Sequence, residues 1–314
     1  MATQTQVAKL KVERGSKDVG QSLTRMAVRR LRRDHLTLLA IAIILIMAAM
    51  AAGAEVISNA LNVDYRTTNA DITFQPLLTQ TAMPDGSIAY HVLGTDDLGR
   101  DHLSRLLYAG RISLTVGFLA AAISLTIGVS LGIVTGFYGG IQDDIVNWVI
   151  ATLTSIPSLF LLLIVAAIMP FARPNDADPC ARLPRLDRGT TRLVRGETLS
   201  LREREYVISA RAIGASPIRI MFSHILPNLF SVIVVTLAID IGSLILVEAA
   251  LSYLGLGIKP PTPSWGNMLT GSQSFFNKGV HLVIFPGLMI FVTVLCLYVI
   301  GDGVRDAFDP TAKD

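Results

Sequence analysis

Apolar runs long enough to cross a membrane alternate with polar segments along this chain. The runs extend from Leu36 to about Ala54, Ile112 to about Tyr138, Ile145 to Met169, Leu229 to about Leu256, and His281 to Ile300. A helix of about 20 apolar residues, rising 1.5 Å per residue, spans the hydrocarbon core of a bilayer. The pattern therefore predicts an all-α polytopic membrane protein with five evident spans.

Composition supports a membrane protein and argues against an enzyme. The 314 residues are 51% hydrophobic and 16% charged, more apolar than an ordinary soluble domain. The sequence contains no Gly-x-x-x-x-Gly-Lys-Ser/Thr loop, so we do not expect this chain to bind and hydrolyse ATP. It also shows no metal-site spacing and no catalytic constellation, so we expect no catalytic residue, metal or cofactor.

The charge distribution gives an orientation. Residues 1–35 are polar and basic, and the run "VRRLRRD" ends directly at the first apolar segment. Positive charge stays on the cytoplasmic side, so the N-terminus is predicted to be cytoplasmic. We assign 36–58 to the first transmembrane helix, 59–110 to an extracytoplasmic loop, and 111–310 to a transmembrane core.

Two features of the predicted spans indicate how they pack. Gly128, Gly132, Gly136 and Gly140 recur every four residues, which places them near one face and lets a neighbouring helix approach closely. The alternative is that glycine is simply frequent in membrane helices. Pro157 interrupts the third run and predicts a kink.

The segment 170–204 contradicts this topology. It carries eight arginines, which place it in the cytoplasm. The third span, however, ends outside, so a further crossing is needed between Met169 and Leu229. The density of proline and arginine in 170–188 argues against a spanning helix there.

Residues 205–228 predict an amphipathic hairpin. Gly214 suits the position after a helix, Ser216 a helix N-cap, and Pro217 the first turn of a second helix. One face of the second helix is predicted to carry an apolar stripe of Ile218, Met221, Phe222 and Ile225. Such a hairpin can lie in the membrane interface or dock into a groove on another protein, and both alternatives stay open at this point.

The hairpin resembles the EAA cytoplasmic loop of ABC importer permeases, which has the pattern Glu-Ala-Ala, then glycine, then a later Leu-Pro. Ile208 and Ser209 depart from the first two positions of that pattern. The resemblance implies that the hairpin inserts into a groove on a separate ATPase. It assigns this coupling role to Ala210, Gly214, Ala215, Ser216, Pro217, Arg219, His224, Leu226 and Pro227.

Three further stretches, 91–117, 247–269 and 300–310, resemble the second permease subunit of the dipeptide/oligopeptide/nickel branch of these importers. The likeness covers roughly 36–168 and 190–310. It implies a six-helix transmembrane domain that pairs with a homologous permease subunit. Two P-loop ATPase subunits would bind ATP and Mg²⁺, an extracytoplasmic binding protein would deliver substrate, and both termini would be cytoplasmic.

The chain departs from that family where an apolar fourth helix is expected. It has "PFARPNDADPCARLPRLDRGT" there, and the resemblance stops near Ile168 and resumes near Thr190. One explanation is a compensated frameshift or a sequence error. The other is a divergent or damaged subunit whose fourth helix is absent or badly destabilised.

Several other polar residues could have either a functional or a structural role. Asp240 lies inside a predicted span and Glu248 near its outer end; both are possible pathway residues, and a structural role is preferred for Glu248. Trp265 is predicted to be an interfacial anchor. Helix capping and surface solvation, rather than Ca²⁺ binding, are expected of Asp96, Asp97 and Asp101.

The resulting prediction is a permease subunit that forms half the pathway of an ATP-driven importer for di- or oligopeptides. A nickel or glutathione permease of the same branch is an alternative. A proton-coupled secondary transporter that uses Asp240, without an ATPase partner, is another. A third is a structural or regulatory subunit left inactive by the disrupted fourth helix.

Overall fold

The computed structural model describes residues 23–83, 86–168 and 188–308, and these are mainly helical. The N-terminal helices are α1 (Leu23–Leu31), α2 (His35–Ala52) and α3 (Ala54–Ala60). An outer loop follows, with a 3₁₀ turn at Ala70–Ile72 and an antiparallel hairpin of β1 (Thr79–Ala82) and β2 (Ile88–His91), in which Thr79 pairs with His91. The central helices are α4 (His102–Tyr138), α5 (Gly140–Thr154), α6 (Ser158–Ile168) and α7 (Arg188–Arg202).

The C-terminal part begins with a pair of short helices, α8 (Glu205–Ala212) and α9 (Pro217–Ile220). A π-helical turn (Met221–Ile225) and a 3₁₀ turn (Leu226–Leu229) connect α9 to the long helix α10 (Phe230–Tyr253). The remaining helices are α11 (Trp265–Met268), α12 (Ser272–Phe275) and α13 (His281–Phe308).

Four helical runs within the described residues are long and apolar enough to cross a membrane. They are His35–Ala52, His102–Tyr138, Pro217–Tyr253 and His281–Phe308. The predicted third span is instead two shorter helices, α5 and α6, which are separated at Pro157. A proline disfavours helical geometry in the residue before it and supplies no amide hydrogen, so the helix breaks where a kink was predicted.

The long helix α4 begins earlier than the predicted core boundary at residue 111. The Asp101 carboxylate accepts a hydrogen bond from the Ser104 amide at 2.6 Å and caps the helix at His102. The same carboxylate contacts the ring of His91 at 2.8 Å. Helix capping is therefore confirmed for Asp101. Because this capping residue is buried and lies before the predicted boundary, α4 extends into the loop that precedes it.

The neighbouring acid Asp96 is buried between two arginines, which corrects the expectation of surface solvation. Its carboxylate lies 2.7 Å from Nε of Arg100 and 3.3 Å from Nε of Arg105. It also accepts hydrogen bonds from turn amides at Leu98 and Arg100. Across the part of the chain that the structure describes, no group of three or more His, Cys, Asp or Glu residues could hold a metal ion.

The glycine stripe of α4 packs directly against α7. A Cβ atom on Gly128, Gly132 or Gly136 would lie 3.1, 2.8 or 2.7 Å from the Cβ atom of Thr190, Val194 or Thr198, respectively. These distances leave no room for a side chain, so the predicted close approach of a neighbouring helix is confirmed for these three glycines. Gly140 has open space around its Cβ direction and a φ of +62°, so it takes no part in the stripe.

The contacts advance in step along both helices, so α7 runs parallel to α4 and begins beside its middle. Residues 188–202 therefore form a helix of the bundle, and the cytoplasmic side that the arginine content of 170–204 indicates stays a prediction. Small residues on α4 admit the backbone of α7, and Arg195 of α7 pairs with Asp143. Of the predicted disruption at 169–190, residues 169–187 lie outside the described residues, and so does the choice between frameshift and lost helix.

Trp265 lies in the core rather than at the membrane interface. Its side chain is 2% exposed, and its indole Nε1 donates a hydrogen bond to the carbonyl of Leu106 at 3.2 Å. It packs with Ala109, Ala249 and Ile290 between α4, α10 and α13. The prediction of an interfacial anchor is therefore wrong, because the indole finds its polar partner inside the bundle.

Candidate functional site

The hairpin turns at Gly214, where α8 ends. Gly214 has a φ of +85°, in the left-handed region that favours glycine. Its amide donates to the carbonyl of Arg211 at 3.0 Å, and the Ala215 amide donates to the carbonyl of Ala210 at 3.0 Å. This pair of bonds is a Schellman motif, which satisfies the last carbonyls of α8 and reverses the chain.

The second helix of the hairpin starts as predicted. The Ser216 hydroxyl accepts a hydrogen bond from the Arg219 amide at 3.4 Å, and Pro217 occupies the first helical position. Ser216, Pro217 and the side chain of Arg219 are exposed. The predicted two-helix geometry is therefore confirmed, and the turn between the helices lies on the surface.

One face of the hairpin is packed into the bundle. Val207 and Ala210 of α8 join Ile220 and Ile225 in a buried cluster. The cluster also contains Leu125, Val129, Ile133 and Phe137 of α4, and Val194 of α7. The hairpin is thus attached to the glycine-bearing half of α4 through a continuous apolar core.

The opposite face of the hairpin is apolar and exposed. Exposed fractions are 51% for Ile208, 86% for Ile213, 64% for Ile218 and 65% for Phe222. The hairpin therefore has one apolar face buried against α4 and α7 and a second apolar face that the described residues leave exposed.

The predicted apolar stripe is divided between these two faces. Met221 and Ile225 are buried with Ile220, whereas Ile218 and Phe222 are exposed. The prediction that these four residues share one face is therefore wrong. The turn Met221–Ile225 is π-helical, with hydrogen bonds that join residues five apart, and this places Ile220 and Ile225 together against the core.

The end of the hairpin leads directly into a spanning helix. His224 is half-buried, and its carbonyl accepts a hydrogen bond from the Asn228 side chain at 2.6 Å. Leu226 is half-buried and Pro227 exposed in the 3₁₀ turn before α10. Pro217–Tyr253 is one helical run, so no loop separates α9 from α10.

Three arginines to which no role was assigned from the sequence contact the end of α4 or the start of α5. Arg202 donates to the Gly136 carbonyl at 3.0 Å, and the Arg211 guanidinium lies 5.5 Å from the centre of the Phe137 ring. Arg195 pairs with Asp143. The arginine density of 188–211 was the available signal for these contacts. From the sequence it indicates only which side of the membrane the segment occupies.

The two acids of α10 have different surroundings. Asp240 is half-buried, and the Thr190 hydroxyl donates to its carboxylate at 3.3 Å, which joins α10 to α7. Glu248 is 1% exposed and accepts hydrogen bonds from Ser113 at 3.1 Å and Ser252 at 2.7 Å. The two serines also accept hydrogen bonds from the backbone amides of Ile258 and Trp265, so Glu248 holds the connection between α10 and α11 to the bundle.

Comparison with known proteins gives matches at both ends of the chain. Residues 188–314 match the family described as binding-protein-dependent transport system inner membrane component. Residues 22–76 match the N-terminal transmembrane domain of oligopeptide transport permease C.

Curated relatives cover most of the chain. The dipeptide transport system permease protein DppC of Alkalihalophilus pseudofirmus is 39% identical over 250 residues, which is 76% of this chain and 81% of the relative. The glutathione transport system permease protein GsiD of Pectobacterium atrosepticum is 42% identical, over 73% of this chain and 75% of the relative. GsiD of Escherichia coli is 37% identical, over 91% of this chain and 89% of the relative. With its apolar helices and these matches, the chain belongs to the multi-pass inner-membrane permease subunits of binding-protein-dependent ABC importers.

Proposed function

We propose that this chain forms half of the translocation pathway of an ATP-driven peptide importer. We further propose that the exposed apolar face of its hairpin docks into a groove on an ATPase subunit. The observation that carries the proposal is the exposed apolar face of Ile208, Ile213, Ile218 and Phe222. This face projects from a hairpin whose other side is fixed to the bundle. A short helix that presents an apolar face to a groove is a common mode of protein recognition.

The sequence supports a separate source of energy. No P-loop is present in the 314 residues, so ATP and Mg²⁺ would be bound by partner subunits. We therefore favour docking of the hairpin to a protein over a hairpin that lies in the membrane interface. In the same way, family membership favours an ATP-driven importer over the proton-coupled transporter that Asp240 alone allowed.

The names of the relatives support a peptide substrate. They are described as permeases for dipeptides, for di- and tripeptides and for glutathione, all of which contain amide-linked amino acids with charged termini. We assign this chain to the same class of substrate, delivered by an extracytoplasmic binding protein. Asp240 stays a predicted pathway residue, and a packing role for its carboxylate is the alternative.

The arrangement of helix ends supports cytoplasmic termini. A Cβ on Gly303 would overlap Thr37, so the start of α2 lies against the end of α13. The Phe308 ring lies 6.3 Å from that of Phe230, next to the hairpin. The start of α2 and the end of α13 therefore lie at the end of the bundle that carries the hairpin, which supports cytoplasmic termini. The second half of the pathway would come from a homologous permease subunit.

The variant Gly214→Asp tests the coupling role in a complex reconstituted with its ATPase subunits, its second permease and its binding protein. Gly255→Asp is the matched control, because Gly255 also has positive φ, at +77°, and open space around its Cβ direction. We expect Gly214→Asp to abolish substrate-stimulated ATP hydrolysis while membrane insertion is unchanged. Normal peptide uptake by Gly214→Asp would contradict the proposal.

A further inference from the structure

A partly buried ion pair joins α5 to α7, with the Asp143 side chain 12% exposed and the Arg195 side chain 30% exposed. Nε and Nη2 of Arg195 each donate a hydrogen bond to one oxygen of the Asp143 carboxylate. Asn147, one turn further along α5, donates to the same carboxylate at 2.6 Å. A two-bond arginine–carboxylate pair fixes the relative orientation of its two partners as well as their distance.

The position of α5 depends strongly on this pair. Of its residues, all of which the structure describes, the buried ones are Asp143 and Ile150. Ile141, Ile145 and Trp148 are exposed. Because few apolar side chains of α5 are packed against the rest of the chain, the charged contact is its main directional attachment to α7.

Arg195, the other partner of the pair, lies on α7, which packs against the hairpin. Val194, the residue before Arg195, lies in the same buried cluster as Val207, Ala210 and Ile225. At the end of α7, Arg202 donates to the Gly136 carbonyl, and α8 begins after a short turn. A displacement of the hairpin is therefore expected to move α7, and Arg195 with it.

We propose that the Asp143–Arg195 pair is a positioning contact that transmits movement of the hairpin to α5, and through α5 to α6. The pair touches neither substrate nor nucleotide. It acts by making the α5–α6 arm follow α7 when the ATPase subunits close. This inference rests on the function proposed above, because it needs the hairpin to be the element that the ATPase moves.

The experiment measures peptide molecules imported per ATP hydrolysed, in proteoliposomes that contain the complete complex. Asp143→Asn and Arg195→Gln each remove the charged contact. We expect ATP hydrolysis to persist while the transport ratio falls at least about fivefold, the lower limit of typical coupling between distinct sites. A purely structural role would lower the amount of assembled complex but not the ratio in complexes that assemble.

Neighbouring residues supply matched controls. Asp144→Asn and Arg192→Gln make the same chemical changes at exposed positions, and we expect both to keep the normal ratio. The exchanged double variant, with Asp143→Arg and Arg195→Asp, should recover part of the loss. If the Asn and Gln variants do not assemble, Arg195→Lys carries the test, because lysine keeps the charge but not the planar two-bond geometry.

The outcomes separate this inference from the proposed function. Gly214→Asp is measured in the same series. If Gly214→Asp uncouples transport and the Asp143 and Arg195 variants keep a normal ratio, the ion-pair inference is overturned and the docking proposal stands. If Gly214→Asp leaves coupling normal, the docking proposal itself fails.

Discussion

The two ends of the bundle are stabilised in different ways. At the outer end, Glu248, Ser113, Ser252 and the Trp265 backbone form a buried hydrogen-bond network that the chain completes by itself. At the hairpin end, one apolar face is buried and the opposite apolar face is exposed among the residues that the structure describes. Within the described residues, the end at Glu248 is thus held by contacts of this chain, whereas the proposed docking would cover the apolar face at the hairpin end.

The largest loss of stability is expected at the outer end. Glu248→Ala removes an acceptor from two buried serine hydroxyls, and we expect a loss of about 3 kcal/mol in the free energy of unfolding. Glu248→Gln, which keeps a hydrogen-bonding side chain of similar size, should lose less. Denaturant unfolding of the purified subunit in detergent measures both. Equal stability of Glu248→Ala and the unaltered chain would show that the network does not hold this end.

A methyl group in the glycine stripe should have the next largest effect. Gly132→Ala would place a carbon 2.8 Å from Val194, which forces α4 and α7 apart, and we expect a loss of about 2 kcal/mol. Gly196→Ala on α7 is the control, because open space surrounds that position. There the better helix propensity of alanine should give a small gain. Similar behaviour of the two variants would contradict the close packing.

Acid should weaken the hairpin end through Asp143. Hydrogen bonds from Arg195 lower the pKa of the Asp143 carboxyl from the ordinary value of 3.8. A lowered folded pKa contributes stability that is present above the unfolded pKa and is lost as the pH falls through the folded value. We expect Asp143→Asn to cost up to about 1 kcal/mol at a constant level from about pH 5 to 8.

That difference should shrink below about pH 4, where the unaltered chain also loses the charge. Unfolding curves of both proteins at stepped pH measure it. A difference that instead changes between pH 6 and 8 would show that another titrating group controls the contact.

The smallest effect on stability is expected on the exposed face of the hairpin. Ile213 is largely exposed, so Ile213→Ser should change the free energy of unfolding by less than about 0.5 kcal/mol. The same unfolding assay applies, with Ile220→Ser as the buried contrast on the same hairpin. A large loss for Ile213→Ser in the isolated subunit would show that this face is covered by the chain itself.

Local chemistry was predictable from the sequence, and long-range placement was not. Gly214, Ser216 and Pro217 determine a helix end and a helix start through their own backbone geometry, and the structure has both. Which of Ile218 and Ile220 faces the core depends on a π-helical turn and on α4, neither of which the residue spacing reveals.

The arginines illustrate the same limit. Their number indicated a membrane side, but the partner of Arg195 lies in another helix and is brought near only by the fold. Trp265 was assigned to the interface by residue type alone, and its burial depends on carbonyl and serine partners in α4. The glycine stripe was correct for Gly128, Gly132 and Gly136 because a four-residue spacing is a property of one helix, and it failed for Gly140, which follows the end of α4.

Affinity purification of the solubilised subunit, co-expressed with the P-loop ATPase subunits, tests the central claim most directly. Ile213→Glu places a charge on the exposed face of the hairpin, and Leu78→Glu does the same at an exposed position in the outer loop. The ATPase should copurify with the unaltered chain and with Leu78→Glu, and should be lost from Ile213→Glu. Recovery of the unaltered subunit without any ATPase, or full retention of the ATPase by Ile213→Glu, would contradict docking through the hairpin.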